Sequence, residues 1–437
     1  MKIVELVQNK IVKNAGWIMA GRILHMVISF FIGMITARYL GPDHYGVINY
    51  AGAYTTFFMA FCTLGIDSVI IKDFVDHPEE QGTAIGTTLA LRLISSFLSI
   101  CVIVMISMFL DRGEPIVIAA VALYSMSLLF KTFDTLHQWF QSKLLSKYYT
   151  IATLIAYFLS SAYKVYLFIS QKSVLWFAVS NSIDYLFTAL IVFWFYRKNK
   201  GPSLSVSVKK AKQLLSVSKS YILSGMMVAV YAATDKLMLK QMLSERIVGY
   251  YSLAVSVSTI WAFVLASVID SMKPPIMELH RSNPAKYLRM NKLLYALVFY
   301  ISTAMSLIIC LVAPILIRVL YGEAYVAASG PLRIIVWYVA FSYLGVARDI
   351  WIVCEKKQKY LKYLYFLSAL LNVALNYLLI PVLSAEGAAI ASLLTQMSTI
   401  ILFPLLFKEL RPNLRLIMEA IFLRGVLPAG RAEKEKT

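Results

Sequence analysis

Twelve apolar runs, each longer than about twenty residues, set the terms for this chain. They cover 16–39, 46–71, 86–110, 115–139, 149–170, 174–196, 220–241, 247–272, 293–317, 331–353, 361–383 and 387–407. A helix needs ~20 apolar residues, at about 1.5 Å rise each, to cross a bilayer. Twelve transmembrane helices in an all-α integral membrane fold are therefore predicted. Composition agrees, since 59% of residues are hydrophobic and only 15% charged, against ~25% charged in ordinary soluble domains.

The first run is apolar yet carries Arg22 and His25 well inside. A charge near mid-bilayer costs roughly 2.5–3.5 kcal/mol on insertion scales, so it persists where it meets water, a partner or a substrate. Arg22, His25, Ser29 and Thr36 fall within about a 60° arc at ~100° per residue. One face of this helix is polar and cationic, and the other faces are apolar. Such a helix lines a water-filled cavity inside a membrane bundle. The run ends at Leu40-Gly41-Pro42-Asp43, a tight turn, and the second run opens at Gly46.

Lysine and arginine give the orientation. The N-terminus and every even-numbered connection carry most of the 42 basic residues. The positive-inside rule then places both termini in the cytoplasm. The net charge of +19 is largely this bias, and no nucleic-acid module accompanies it. Segment 197–219, RKNKGPSLSVSVKKAKQLLSVSK, is the most basic stretch and reads as a cytoplasmic linker. It separates a six-helix lobe at 1–196 from another at 220–407. A weak repeat supports the division: Leu40, Gly46 and Ala51 match Leu243, Gly249 and Ala254 at a constant offset. Parallel six-span repeats with a site at their interface are a transporter architecture. Residues 408–437 read as a basic cytoplasmic tail, with an interfacial helix expected near 413–427. No cleavable signal peptide is expected, because the first apolar run is too long for its hydrophobic region. Cys62, Cys101, Cys310 and Cys354 are scattered through apolar runs and suggest packing rather than disulfides or metal.

Ionisable residues inside spans carry the functional information. Arg22, His25, Arg92 and Lys164 are the candidates for a cationic substrate-binding cavity. Arg92 sits on a stripe with Thr88, Ser95, Ser96 and Ser99. Asp235, Asp184 and Asp270 are candidates for ion coupling or a gate. Lys131 and Asp134, three apart in one span, are expected to pair, as are Lys164 and Asp184 across neighbouring spans. Arg348 and Asp349 read as snorkelling or interhelical contacts, and Asp67 as a cap or gate contact. No catalytic residue, metal site or cofactor is expected. There is no phosphate-binding glycine loop for ATP and no zinc motif, and the extracytoplasmic loops are too short for a catalytic domain. The chain reads as a transporter driven from outside itself, by a proton or sodium gradient.

Certain stretches resemble a known family. Leu40 to Ala51 reads L-G-P-D-H-Y-G-V-I-N-Y-A, and Leu64 to Asp73 reads L-G-I-D-S-V-I-I-K-D. Leu320 to Tyr325, Leu371 to Pro381 and Glu386 to Ser392 follow in order. Together they resemble the bacterial polysaccharide flippases, the O-antigen, Wzx-type members of the multidrug/oligosaccharidyl-lipid/polysaccharide exporter superfamily, over about residues 10–407. The resemblance implies two six-helix lobes around a central cationic cavity. It also implies a polyprenyl-pyrophosphate-linked oligosaccharide as cargo, moved by alternating access across the bacterial cytoplasmic membrane. A polysaccharide polymerase or glycosyltransferases would be the protein partners. The family's cationic residues have no fixed motif, so none is carried over by alignment. Two other readings compete. A cation-coupled drug antiporter of the same superfamily would need an acid-dominated cavity, and a membrane glycosyltransferase or polymerase would need loops this chain lacks.

Overall fold

The computed structural model describes residues 2–425, with side chains described from residue 16 onward apart from those at 18–20, 22, 68, 220 and 224. Among the described residues every regular element is a helix. The first compact unit extends to Gln241. It comprises α1 (Lys2–Thr63), α2 (Asp67–Asp76), α3 (Gln81–Leu110), α4 (Pro115–Ser125), α5 (Ser127–Lys131), α6 (Asp134–Ser142), α7 (Ser146–Ile169), α8 (Val174–Lys198) and α9, which runs Val208–Met242. The second unit, from Met242 on, holds α10 (Glu245–Thr259), α11 (Phe263–Ser282), α12 (Pro284–Tyr321), α13 (Ser329–Cys354), α14 (Leu361–Ile400), α15 (Leu402–Leu405) and α16 (Arg411–Ile421).

Nine helices among the described residues are long and apolar enough to cross a membrane, and ten if the bent pair α10–α11 counts as one span. Two of them are double. α1 breaks at Gly41 (φ 69°, ψ 171°), immediately before Pro42. α14 breaks at Ser384 (φ 57°), three residues after Pro381. Both breaks fall where the sequence places a turn between spans, so the twelve runs and the helices correspond. Proline removes a backbone donor and resists the interior of a helix, and a glycine reaches positive φ without a steric penalty.

The packing inverts that of a soluble protein. On α3 the first turns are buried all round, and beyond Leu89 the buried positions are Arg92, Ser96, Ser99, Ile103 and Ser107, at helical spacing. Phe97, Leu98, Met105 and Phe109 face outward. On α12, Ser302 and Ser306 are buried while Leu311, Ile315 and Val319 are 64–70% exposed. Lipid offers no hydrophobic drive for helix association, so small and hydroxyl side chains mediate close approach while the large apolar ones face the hydrocarbon.

Each unit also has an apolar core. In the first, Ile66, Ile70, Phe74, Ile85, Leu136, Trp139, Phe140 and Tyr196 pack together. In the second, Tyr287, Leu294, Tyr295, Leu344, Trp351, Leu416 and Ile417 do so. Part of the amphipathic segment expected near 413–427 lies in α16, Arg411–Ile421; residues 426–427 lie outside the described residues. The apolar side of α16 is laid against α12, with Asn413 donating to the Tyr295 hydroxyl at 2.7 Å and Lys292 paired to Glu419 at 2.9 Å.

Candidate functional site

The first half of α1 runs alongside α7. At Gly21 a Cβ would strike the Thr150 side chain, so the two backbones meet closely there. One turn on, the His25 ring lies 4.2 Å from the Tyr157 ring, centroid to centroid. Near the far end of the pair, Tyr39 donates its hydroxyl to the Lys172 carbonyl at 3.1 Å and stacks with Phe168 and Phe177. A glycine at the narrow end, aromatic rings in the middle and an aromatic clasp at the far end fix the register of the cationic face.

That register gathers three of the expected residues, His25, Lys164 and Asp184. The Tyr157 hydroxyl lies close to Ser29 and Ser161. Lys164 Nζ is 6.0 Å from the Tyr157 ring centroid, within charge range of His25 on one side and Asp184 of α8 on the other. Asp184 and Lys164 interact through space but make no direct ion pair. Among the described residues Asp184 Oδ1 is buried without a hydrogen-bond partner, and the Ser161 hydroxyl has only the nearby Tyr157 hydroxyl. Buried polar atoms are nearly always satisfied, so such atoms mark places that water or a polar ligand visits. Arg22 belongs to the same helix one turn before His25; its side chain lies outside the described residues. Tyr157, which sequence reading passed over, bridges the cluster. Its signal was present in the spacing, because Tyr157 and Lys164 are two helical turns apart on one face.

Arg92 stands in a second cluster. It is 2% exposed, and its guanidinium donates to Thr135 Oγ1 at 3.1 Å, to the Thr63 carbonyl at 3.1 Å and to Asp67 at 2.9 Å. Thr63 and Asp67 flank the break between α1 and α2, where Leu64 (φ 53°) and Gly65 (φ 59°) take left-handed backbone. One arginine thus holds both sides of a hinge. Beside it a cavity of about 130 Å³ is lined by Cys62, Ser96, Lys131, Asp134 and His137, among others. That volume admits several waters.

Lys131 and Asp134 line one cavity and interact through space, but no direct ion pair joins them among the described residues. The helix tightens between them at Thr132–Phe133, where the backbone stays in the right-handed helical region. Asp134 instead accepts from the Tyr149 hydroxyl at 3.0 Å, and Lys131 Nζ lies 5.2 Å above the Tyr185 ring.

The remaining candidates lie apart. Asp235 is buried on α9, beside Thr234, which donates to the Val230 carbonyl. Asp270 is exposed on α11 in the second unit. Arg348, 3% exposed, donates to the Thr399 carbonyl at 3.0 Å and reaches Asp349 at 3.3 Å.

Helices that expose apolar faces, bury polar ones and gather intramembrane cations define a multi-pass membrane protein with a polar interior. A polysaccharide biosynthesis protein family model matches residues 35–330, and the chain belongs to that family. It is 22% identical over 409 residues to the capsular polysaccharide biosynthesis protein CapF of Staphylococcus aureus, covering 91% of this chain and all of that one. The fold is that of the multidrug/oligosaccharidyl-lipid/polysaccharide superfamily. An inward-facing multidrug resistance MATE transporter superposes with a TM-score of 0.68 at 13% identity, over 90% of this chain and 96% of that one. The lipid II flippase MurJ, in an inward closed conformation, superposes with a TM-score of 0.67 at 13% identity, over 92% of this chain and 90% of that one.

Proposed function

We propose that this protein is a flippase that carries a polyprenyl-pyrophosphate-linked oligosaccharide across the bacterial cytoplasmic membrane by alternating access, for O-antigen or another surface polysaccharide. The observation that carries the reading is the cluster of His25, Tyr157 and Lys164, one turn along α1 from Arg22, beside the unsatisfied Asp184 Oδ1. Pyrophosphate is multiply anionic, and cations in a site of low dielectric offset part of the cost of drawing it through the bilayer. Arg22 supplies a fork that matches phosphate oxygens in pairs, and Lys164 supplies a mobile point charge. Ser29, Ser161 and Tyr157 offer hydroxyl partners to sugar.

The finer parts of the proposal follow the same logic. Lobes at 1–196 and 220–407 move about linker 197–219, with both termini in the cytoplasm. A proton or sodium gradient drives the cycle through Asp235 or His25, with Asp184 and Asp270 as coupling or gate groups. A polymerase or glycosyltransferases are the partners on the pathway. The unpartnered carboxylate oxygen of Asp184 favours one second reading, an organic-cation antiporter.

The two readings separate by measuring surface polysaccharide, drug susceptibility and membrane abundance together. Arg22→Ala and Lys164→Ala should each lower surface polysaccharide by about one to two decades at normal abundance, since a charge-assisted hydrogen bond contributes roughly 1.5–3 kcal/mol. Arg22→Lys should fall between alanine and arginine because it keeps the charge and loses the fork. Asp235→Asn or His25→Gln should alter the dependence of transport on pH or sodium. Normal polysaccharide in Arg22→Ala and Lys164→Ala, or altered drug susceptibility alone, would sink the oligosaccharide reading.

A further inference from the structure

The segment that joins the sixth and seventh spans is docked. Residues 202–207 run without regular secondary structure along the first turns of α3. The Ser205 amide donates to the Gly82 carbonyl at 3.4 Å. The Thr83 and Ser205 hydroxyls are 2.8 Å apart, and the Ser207 amide donates to Thr87 Oγ1 at 3.0 Å. So close a track needs a bare helix face. A Cβ at Gly82 would strike the Ser203 carbonyl, and one at Gly86 would meet the backbone of Ser205. The two glycines are four residues apart and therefore share that face. Upstream, Gly201 lies against the Tyr196 ring, and Tyr196 donates its hydroxyl to the Pro202 carbonyl.

Downstream the strap ends in a buried cation. Lys210 is 3% exposed and its ammonium sits between Asp73 Oδ1 at 2.9 Å and Glu80 Oε2 at 2.8 Å. His77 Nδ1 is 3.5 Å from the same Asp73 oxygen. Lys210 therefore ties the start of α9 to α2 and to the turn before α3. The opposite end of α9 is tied as well. Lys240 pairs with Glu114 at 2.8 Å, and Gln241 donates to Asp111 at 2.9 Å and to the Tyr50 hydroxyl at 2.7 Å.

The two parts of the attachment differ in strength. The strap is held by single neutral hydrogen bonds, of which the Thr83–Ser205 contact is exposed and the Ser207–Thr87 and Tyr196–Pro202 bonds are part-buried. Each contributes about 1 kcal/mol, and a segment without regular secondary structure held by a few such bonds is one that can open locally. Removing one member of a buried ion pair leaves an uncompensated charge, which resists release. A strap held by neutral hydrogen bonds lies in series with an anchor held by charge.

We propose that residues 202–210 are a latch. Docked, they fasten α9, the helix that leads into the second unit, to α2 and α3. Their release is a step of the conformational cycle, and Lys210 is the positioning residue that sets how often it occurs. The inference rests on the transport reading for the existence of a cycle, and not on the identity of the cargo.

The test locks the latch and reads it in two ways. In a chain lacking Cys62, Cys101, Cys310 and Cys354, the pair Thr83→Cys and Ser205→Cys puts thiols where two hydroxyls touch. Oxidation should then cut surface polysaccharide roughly tenfold or more, and reductant should restore it. A cargo-independent reporter is Ser29→Cys in the purified chain. Its maleimide reactivity should fall at least about threefold on oxidation, as the opening it depends on is lost. Lys210→Gln should raise the reactivity of a lone cysteine at Ser205 by a similar factor, with Lys210→Arg near the natural residue. Unchanged Ser29→Cys reactivity in the locked chain, or full export by it, would overturn the latch. A reporter that responds in a protein whose export ignores Arg22→Ala would keep the latch and remove the cargo reading.

Discussion

Arg92 and Lys210 are both buried cations, and their partners assign them different consequences. Replacing Arg92 by alanine removes the charged donor from the Thr63 carbonyl and Asp67 at the hinge, leaving them the Ile66 amide and the Gln138 side chain respectively. Asp67 is 38% exposed and water recovers part of its solvation, so a loss of about 2–3 kcal/mol is expected. Thermal unfolding in detergent should show it, and Arg92→Lys should recover only part because the fork is lost. An unshifted midpoint in Arg92→Ala would mean that the hinge does not need its clasp. For Lys210 the expected signature is in pH. Its hydrogen bond holds the Glu80 carboxyl below the ordinary 4.5. Burial opposes the Lys210 ammonium, and the hydrogen bonds it donates to Glu80 and Asp73 outweigh that, raising its pKa above 10.5. A lowered carboxylate contributes stability above its ordinary value and loses it as pH falls through the lowered one. A raised lysine contributes below its ordinary value and loses it only as pH climbs through the raised one. Thiolate-corrected reactivity of a cysteine at Ser205 should thus stay level through neutrality and rise only in acid below 4.5. A rise near neutral pH would assign the strap's hold to some other group.

Among the elements, α1 offers a matched pair of glycines. Gly41 has φ 69° and ψ 171° with nothing within 4 Å of where a Cβ would stand. Any cost of Gly41→Ala is therefore backbone strain, about 1–3 kcal/mol in a region that only glycine visits freely. Gly33 is helical and equally open. There Gly33→Ala should stabilise by about 0.5–1 kcal/mol through lower unfolded-state entropy. Opposite shifts in melting temperature are expected, and a neutral Gly41→Ala would remove the glycine argument for the break. The fourth span shows the other limit of element-level reasoning. Its apolar run is continuous, yet its hydrogen-bond ladder tightens into turns at Met126 and at Thr132–Phe133 while the backbone stays helical. Carbonyls near the first of these turns are partnered by Ser182, which donates to Leu123 at 2.7 Å from α8, so the tightening depends on a side chain from elsewhere.

For the whole molecule, the basic residues predict that segment 197–219 and both termini face the cytoplasm. Lys209 and Arg112 are exposed on connections expected on opposite sides. In intact cells Lys209→Cys should resist an impermeant thiol reagent and Arg112→Cys should react. Arg112 is the better probe than Gly113, whose φ of 89° would strain a cysteine. The reverse pattern would invert the molecule.

Span number, the turn at Gly41 and the polar face of α1 follow from local properties: apolar length, a proline after a glycine, and the angular spacing of a helix. Each is legible in consecutive residues because its cause lies within a few turns. The pairing of Arg92 with Asp67, the failure of Lys131 and Asp134 to form a direct ion pair, Tyr157 between His25 and Lys164, and the strap on Gly82 and Gly86 are not local. They depend on which helices pack together and at what register, and in a membrane that choice rests on close contact between small residues and single hydrogen bonds. Many residues share those features, so hydropathy leaves the partners of each charge open. The first compact unit reaches Gln241 for the same reason, because ion pairs and hydrogen bonds at both ends of α9, which no periodicity reveals, hold that helix to α2, α3 and the turns beside them.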